Sequence, residues 1–433
     1  MGALLAGARV SKPEILAPAV LRRLAGIGKA DIVVGIPSYQ SAATIGHVVQ
    51  AAQTGLANYF PHAQSVILNS DGGSTDDTAA VVASAGALDA AVVFVPNPVR
   101  PIHRFTVPYH GVPGKGSAFR TVFRAAELLD ARACAVVDAD LRSITPEWIH
   151  LLVAPIMAQG ADFVAPYYHR HKFDGTITNN LVYPLTRALY GKRVRQPIGG
   201  EFGVSPALVR DYLQRPVWDT DVARFGIDIW MTTTAICGGY RVCQAFLGAK
   251  LHDAKDPGAD LAGMLVQVLG TVFTLMETYE DTWRHVEGSE PVPLVGFQYG
   301  VGLDPIRVDT ARMIEHYRRG VRDLEPIWRM VFDRGTMARL GSLACCDGPD
   351  FLIDDRLWAS LIYDLAAACH RRASDRADLV RAALPLYMGR VASFVAEIAE
   401  AGAEAVEARI EHLCAVFEAQ KDDLRRTWAD GRR

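Results

Sequence analysis

Three features of the sequence predict an α/β protein with a mainly parallel sheet, helices on both faces and a largely helical C-terminal region. Strand-like and helix-like stretches alternate over residues 31–137, a pattern that returns the chain repeatedly to one end of a parallel sheet. The apolar run 134–141 contains two carboxylates, Asp138 and Asp140, as a buried strand does when it delivers acidic groups to its ligand-binding edge. Beyond residue 261 the apolar residues recur at helical spacing.

In chain order, residues 1–30 read as a helical lead-in closed by Gly26 and Gly28. Strands are expected at 31–37, stopped by Pro37, and at 65–68, 90–95, 133–137 and 163–165; helices are expected at 44–54, 77–85 and 117–129. The stretch 96–116, rich in Pro, Gly, His and Arg, reads as a long loop, functional or mobile. Residues 167–180 combine so many polar and aromatic groups that they are not expected in a core. The predicted units are therefore 1–30, a catalytic domain over 31–260 and a mainly helical domain over 261–433, with apolar stripes at 313–332, 357–368 and 391–417.

The bulk numbers narrow the function. With 433 residues, 50% hydrophobic, 21% charged and a formal net charge of −3, the chain has the composition of a folded globular protein. It lacks the concentrated basic face of a nucleic-acid binder. Seven cysteines show no zinc spacing and read as reduced thiols, so a cytoplasmic location is expected. No signal peptide is predicted, and the apolar stretch 261–276 is too short to span a bilayer and reads as a buried helix. Gly114-Lys115-Gly116-Ser117 does not have the spacing of a Walker loop.

Placed side by side, the strand ends bring Pro37 to Gln40, Asn69 to Ser74, the Lys115 loop and Asp138/Asp140 to one rim. A nucleotide diphosphate needs such parts: an aromatic wall, a carboxylate, a cation and a metal. An Asp pair suits a hard divalent ion such as Mg²⁺ (or Mn²⁺), with substrate phosphate oxygens and water filling its shell. The same pair also suits a turn or a helix cap.

These motifs carry a resemblance to the GT-A (Rossmann-like) glycosyltransferase fold: P-S-Y at 37–39, D-G-G-S-T-D-D-T at 71–78, G-K-G at 114–116 and V-D-A-D at 137–140. Q-P-I-G-G-E at 196–201, F-G-I-D at 225–228 and His252 are similar to the narrower group of mannosylglycerate, glucosylglycerate and glucosyl-3-phosphoglycerate synthases, which are retaining transferases. The likeness spans roughly residues 31–276. It implies a metal site of Asp140 and His252 with Asp138 as its less direct partner. It implies a donor site for a nucleotide diphosphate sugar (UDP- or GDP-hexose) at Pro37, Tyr39, Asp71, Lys115, Asp138, Ile198 and Gly199. Glu201 and Asp228 are implied to bind the sugar or activate the acceptor. By residue chemistry alone Asp71 also suits a turn, and His252 also suits a structural role.

Arg170, Asp174 and Thr178 stand at four-residue steps, so a helical segment would align them on one face. A guanidinium clamps a carboxylate in bidentate fashion, and the resemblance implies a small hydroxy-acid acceptor there; the bland alternative is a solvated charged face. The expected activity is transfer of a hexose, glucose rather than mannose, to D-glycerate or 3-phosphoglycerate, by an enzyme whose relatives imply a homodimer. The alternative is an inverting family-2-like transferase acting on a polysaccharide or lipid-linked acceptor.

Overall fold

A computed structural model describes residues 14–85, 100–109, 112–251, 261–300, 306, 308–346 and 348–429. Ten strands are present among them: β1 (Ile32–Ser38), β2 (Ser65–Asp71), β3 (Ile102–Pro108), β4 (Ala133–Val136), β5 (Phe163–His169), β6 (Lys192–Arg193), β7 (Phe202–Val204), β8 (Val242–Ala249), β9 (Glu290–Pro291) and β10 (Leu294–Val295). β6 and β9 pair by themselves; the other eight form one sheet in the order β10-β8-β5-β7-β4-β1-β2-β3. Every pair in it is parallel except those of β7, which runs against both β4 and β5.

Both faces of the sheet are covered, which is why its central strands read as unbroken apolar runs rather than alternating ones. Ile32, Val34 and Ile36 of β1 pack with Val48, Val49 and Leu56 of helix Ile45–Tyr59 and with Ile149 and Leu152 of helix Pro146–Gln159. Val33, one residue out of phase, joins Phe119, Val122 and Phe123 of helix Lys115–Leu128 on the opposite face. Side chains of successive strand residues point to opposite faces. The core on the Val33 side continues without a break through helix Leu261–Thr278 to Trp358, Tyr387 and Trp428, so the C-terminal helices share it.

The expected strand 90–95 lies outside the described residues. Among the described residues, β3 lies inside the stretch expected to be a loop. Phe105 and Val107 are buried there while Ile102, His103 and Arg104 are half-buried, as suits the edge of a sheet. Its polar residues masked the alternation. Residues 167–180 divide: Tyr167 and residues 169–175 are half-buried, while Tyr168 and residues 176–180 are buried, with Thr176, Asn179 and Asn180 hydrogen-bonded to Tyr387, Arg195 and Arg390.

The C-terminal stripes form helices Thr310–Asp323, Asp355–Arg371, Leu384–Ile398 and Ala403–Ala419. One helical run, 373–398, is long and apolar enough to cross a membrane by length and composition, but 78% of its apolar window is buried inside the protein.

Candidate active site

Strand polarity gathers the site. β1, β2, β4, β5 and β8 are all parallel to one another, so the residues that follow them, Tyr39, Gly72, Asp138, Arg170 and Lys250, emerge at one rim. β7 runs the other way and therefore starts at that rim. Its pairing of Phe202 with Val136 sets the preceding Glu201 beside the chain leading to Asp138. Helices Lys115–Leu128 and Ile227–Cys237 begin there too and supply Lys115 and Asp228 from their first turns.

The result is an alternating chain of charges. Lys115 Nζ lies 3.1 Å from Asp228 Oδ2 and 2.8 Å from Asp138 Oδ1; Lys250 Nζ lies 3.0 Å from Asp138 Oδ2 and 2.8 Å from Glu201 Oε1. Lys250 also donates to the Gly199 carbonyl at 2.8 Å. Three carboxylates thus share two ammonium groups. Two glycines permit this spacing. A Cβ on Gly200, whose φ is +99°, would stand 2.2 Å from Asp138 Oδ2, and one on Gly116 would stand 1.9 Å from the Val222 carbonyl oxygen. Gly116 lets the Lys115 helix approach the 222–224 segment, which leads directly into Asp228.

Burial and ion pairing pull the five groups in different directions. Burial would raise Asp138, but Lys115 and Lys250 outweigh it and hold this carboxyl well below the usual range. Burial disfavours the charge on both lysines. The carboxylates outweigh it, Asp138 and Asp228 for Lys115 and Glu201 and Asp138 for Lys250, so both stay protonated. Asp228 and Glu201 are displaced upward, chiefly by burial, against the pull of Lys115 and Lys250 respectively. Asp228 Oδ1 is buried with no hydrogen-bond partner among the described residues, an acceptor left open next to a filled network.

After β2, Asp71 organises its own turn. It accepts from Ser38 Oγ at 2.9 Å, Gly73 N at 3.0 Å, Ser74 N at 2.8 Å and Ser74 Oγ at 2.7 Å. The turn is stitched to the loop after β1 by Gln40, whose amide donates to Ser74 Oγ and whose Nε2 donates to Thr75 Oγ1. Pro37 sits in β1 opposite Ser70, and Tyr39, 65% exposed, stands at the mouth. Ile198 is half-buried against the core, one residue before the Gly199 carbonyl that holds Lys250.

Arg170 and Asp174 meet, but Arg170, Asp174 and Thr178 do not share one helical face. Arg170 follows β5, residues 172–174 turn, Gly175 adopts φ +64°, and Thr178 opens a π-helical turn, Thr178–Val182. Arg170 Nη1 meets Asp174 Oδ2 at 3.2 Å, while Arg170 Nε is buried without a hydrogen-bond partner among the described residues. The guanidinium stands 5.4 Å and the Lys250 ammonium 5.5 Å from the Tyr168 ring centroid, so this segment borders the lysine–carboxylate network. The four-residue spacing brings Arg170 and Asp174 together through a turn.

For a divalent cation, both Asp138 oxygens already face ammonium groups. Asp140 is half-buried in the turn after β4. His252 lies outside the described residues, among which no cluster of three or more His, Cys, Asp or Glu could hold a metal. Lys250 is the site residue that sequence reasoning missed. Its signal was a lysine one position past the apolar strand β8, at the same rim as Asp138.

The sheet is open and mixed, and its C-terminal rim, the edge where open α/β sheets place their ligands, carries buried charges. No protein-family model matches the chain, and no curated protein matches it. Among solved structures, the chain is similar to glucosyl-3-phosphoglycerate synthase from Mycobacterium tuberculosis in complex with Mg²⁺ and uridine diphosphate, at 23% identity over 61% of this chain and 84% of that one, with a TM-score of 0.43. The same enzyme with Mn²⁺, UDP-glucose and phosphoglyceric acid is 22% identical over 59% and 84%, TM-score 0.44. With Mn²⁺, UDP and glucosyl-3-phosphoglycerate it is 23% identical over 59% and 83%, TM-score 0.42. The ligands named are those proteins' own.

Proposed function

We propose that the protein is a retaining, metal-dependent hexosyltransferase that moves glucose from a nucleotide diphosphate sugar to D-glycerate or 3-phosphoglycerate. The observation that carries this reading is the Asp228–Lys115–Asp138–Lys250–Glu201 network, with an open acceptor at Asp228 Oδ1 and an open donor at Arg170 Nε. A buried donor and a buried acceptor left unpaired are costly unless a ligand satisfies them. A sugar hydroxyl suits Asp228, and an acid's carboxylate suits Arg170. The motif resemblance supplies the choice of sugar and acceptor.

In this reading Tyr39 lines the base, the 71–74 turn borders the ribose, and Lys115 brings positive charge to the diphosphate. Lys250 holds Asp138 and Glu201 in register. Asp228, its carboxyl displaced upward by burial, orients a sugar or acceptor hydroxyl through Oδ1. Arg170 fixes the acceptor's carboxylate so that its hydroxyl meets the sugar, and much of the rate comes from such positioning. Asp140 and His252 would hold Mg²⁺ or Mn²⁺, which supplies Lewis-acid stabilisation of negative charge on a departing diphosphate.

The test is incubation with UDP- or GDP-hexoses, D-glycerate or 3-phosphoglycerate and Mg²⁺, with the anomeric linkage read by NMR. An α-linked glycoside from an α-linked donor is expected. A β-linked product overturns retention, and turnover only with a polysaccharide or lipid-linked acceptor replaces the acceptor assignment.

A further inference from the structure

The segment carrying Arg170, Asp174 and Thr178 is fastened from behind by the C-terminal helices, through polar contacts made inside the core. The hydroxyls of Thr176 and Tyr387, both buried, lie 2.7 Å apart. In the π-helical turn, Asn180 accepts from Arg390 Nε through its side-chain oxygen at 3.1 Å and from Trp358 Nε1 through its backbone carbonyl at 2.6 Å. Its Nδ2 in turn donates to the Thr176 carbonyl at 3.3 Å. Lys172 reaches the carbonyls of Ala399 and Ala401 just past helix Leu384–Ile398. Arg390, fully buried, is itself fixed by Asp355 at 2.9 Å and by the Ile353 carbonyl at 2.8 Å.

Apolar contacts alone would join these helices to the sheet, and burying an arginine carries a desolvation cost that such packing avoids. What buried hydrogen bonds add is direction, because each fixes one geometry. Here they converge on residues 172–180, at the turn between Arg170 and Thr178. A π-helical turn inserts a residue into helical register and is frequent at functional sites; this one carries Thr178 and the anchored Asn180.

We infer that Tyr387, Arg390 and Trp358 are positioning residues that set the geometry of the acceptor clamp, so that the C-terminal helices determine acceptor affinity without touching the donor site. The inference rests on the reading that Arg170 binds the acceptor acid.

Steady-state kinetics on the full chain test it. Tyr387→Phe and Thr176→Val each remove one hydroxyl of a single hydrogen bond and are expected to raise the acceptor KM about 5-fold, with kcat and the donor KM within twofold. Because the two hydroxyls serve one bond, the double variant should be no worse than either single one. Arg390→Lys keeps a charge opposite Asp355 but loses the Nε contact to Asn180, and should raise the acceptor KM about 10-fold. Equal rises in both KM values, or a fall in kcat alone, overturn the inference, as does an unchanged acceptor KM in a background where Arg170→Ala raises it. Should Arg170→Ala leave the acceptor KM unchanged, the acceptor reading itself falls. Hydrogen exchange then decides the positioning claim: faster exchange confined to amides 172–182 in Tyr387→Phe sustains it, and unchanged exchange there overturns it.

Discussion

Two of the buried charge clusters among the described residues are built in opposite ways. At the sheet rim, lysines connect three carboxylates; among the C-terminal helices, Asp355 is gripped by arginines. Arg409 binds it bidentately, with both contacts at 2.6 Å, Arg390 adds one at 2.9 Å and His412 Nδ1 another at 2.8 Å. Despite burial, these bonds hold the Asp355 carboxyl below its ordinary value, whereas Asp228 at the rim is displaced upward and keeps an open oxygen. Arginine's planar fork satisfies a carboxylate completely, while a lysine ammonium acts as a compact point charge. The helical cluster fills both Asp355 oxygens and leaves a donor, Arg390 Nη2, without a hydrogen bond among the described residues, whereas the rim cluster leaves an acceptor, Asp228 Oδ1.

The largest effect on stability that this contrast predicts is in the helical cluster. Asp355→Ala leaves Arg390 buried without its partner and should cost about 3–5 kcal/mol, read by urea or guanidinium unfolding. In the rim, Lys250→Met should lower kcat/KM by about 10²–10³, the order seen on removing one preorganised electrostatic group. A Lys250→Met enzyme of normal activity would remove Lys250 from the site.

Asp228→Asn sharpens the difference further. Its carboxyl is displaced upward, so its ionised form is disfavoured by folding. The variant should therefore be at least as stable as the parent by thermal melting, yet poorer in kcat/KM, where Asp355→Asn is destabilised. An Asp228→Asn protein that melts well below the parent would erase the contrast.

The pH dependence separates the two clusters by sign. Asp355 has a depressed folded pKa, so its stabilisation is present above its unfolded value and is lost as pH falls through the folded one. Asp228, raised, contributes in the opposite sense: its share of stability falls as pH rises from the unfolded to the folded value. Acid unfolding followed by circular dichroism should then shift less steeply in Asp355→Asn than in the parent, and the reverse should hold for Asp228→Asn. The smallest effect is expected at the exposed Arg381–Asp378 pair, where Arg381→Ala should leave the melting temperature unchanged within error, since surface pairs are screened and entropically opposed.

Much of the rim was legible from local pattern. Strands β1, β2 and β4 announced themselves as apolar runs ending in Pro37, Asp71 and Asp138, because a strand covered on both faces has no polar phase to confuse it. Lys115 and Asp228 were legible as motif residues, though not their contact, because 113 residues separate them. β3 was hidden by His103 and Arg104, tolerated because an edge strand is only partly covered. The Arg170–Thr178 stretch read as a helical face, but Gly175 with its positive φ turns the chain, and the burial of its polar end depends on Tyr387, Arg390 and Trp358, more than a hundred residues away.

The sequence by itself determined the α/β alternation, the helical C-terminal region and the residue types gathered at the strand ends, because periodicity and turn chemistry act over a few residues. Only the tertiary structure decided that Lys250 joins Asp138 to Glu201, that Asp71 accepts from Ser38 as well as from its own turn, and that the C-terminal helices hold the segment beyond Arg170. Those outcomes depend on strand order and on the reversed direction of β7, and no local pattern encodes which distant charges will meet when a sheet closes around them.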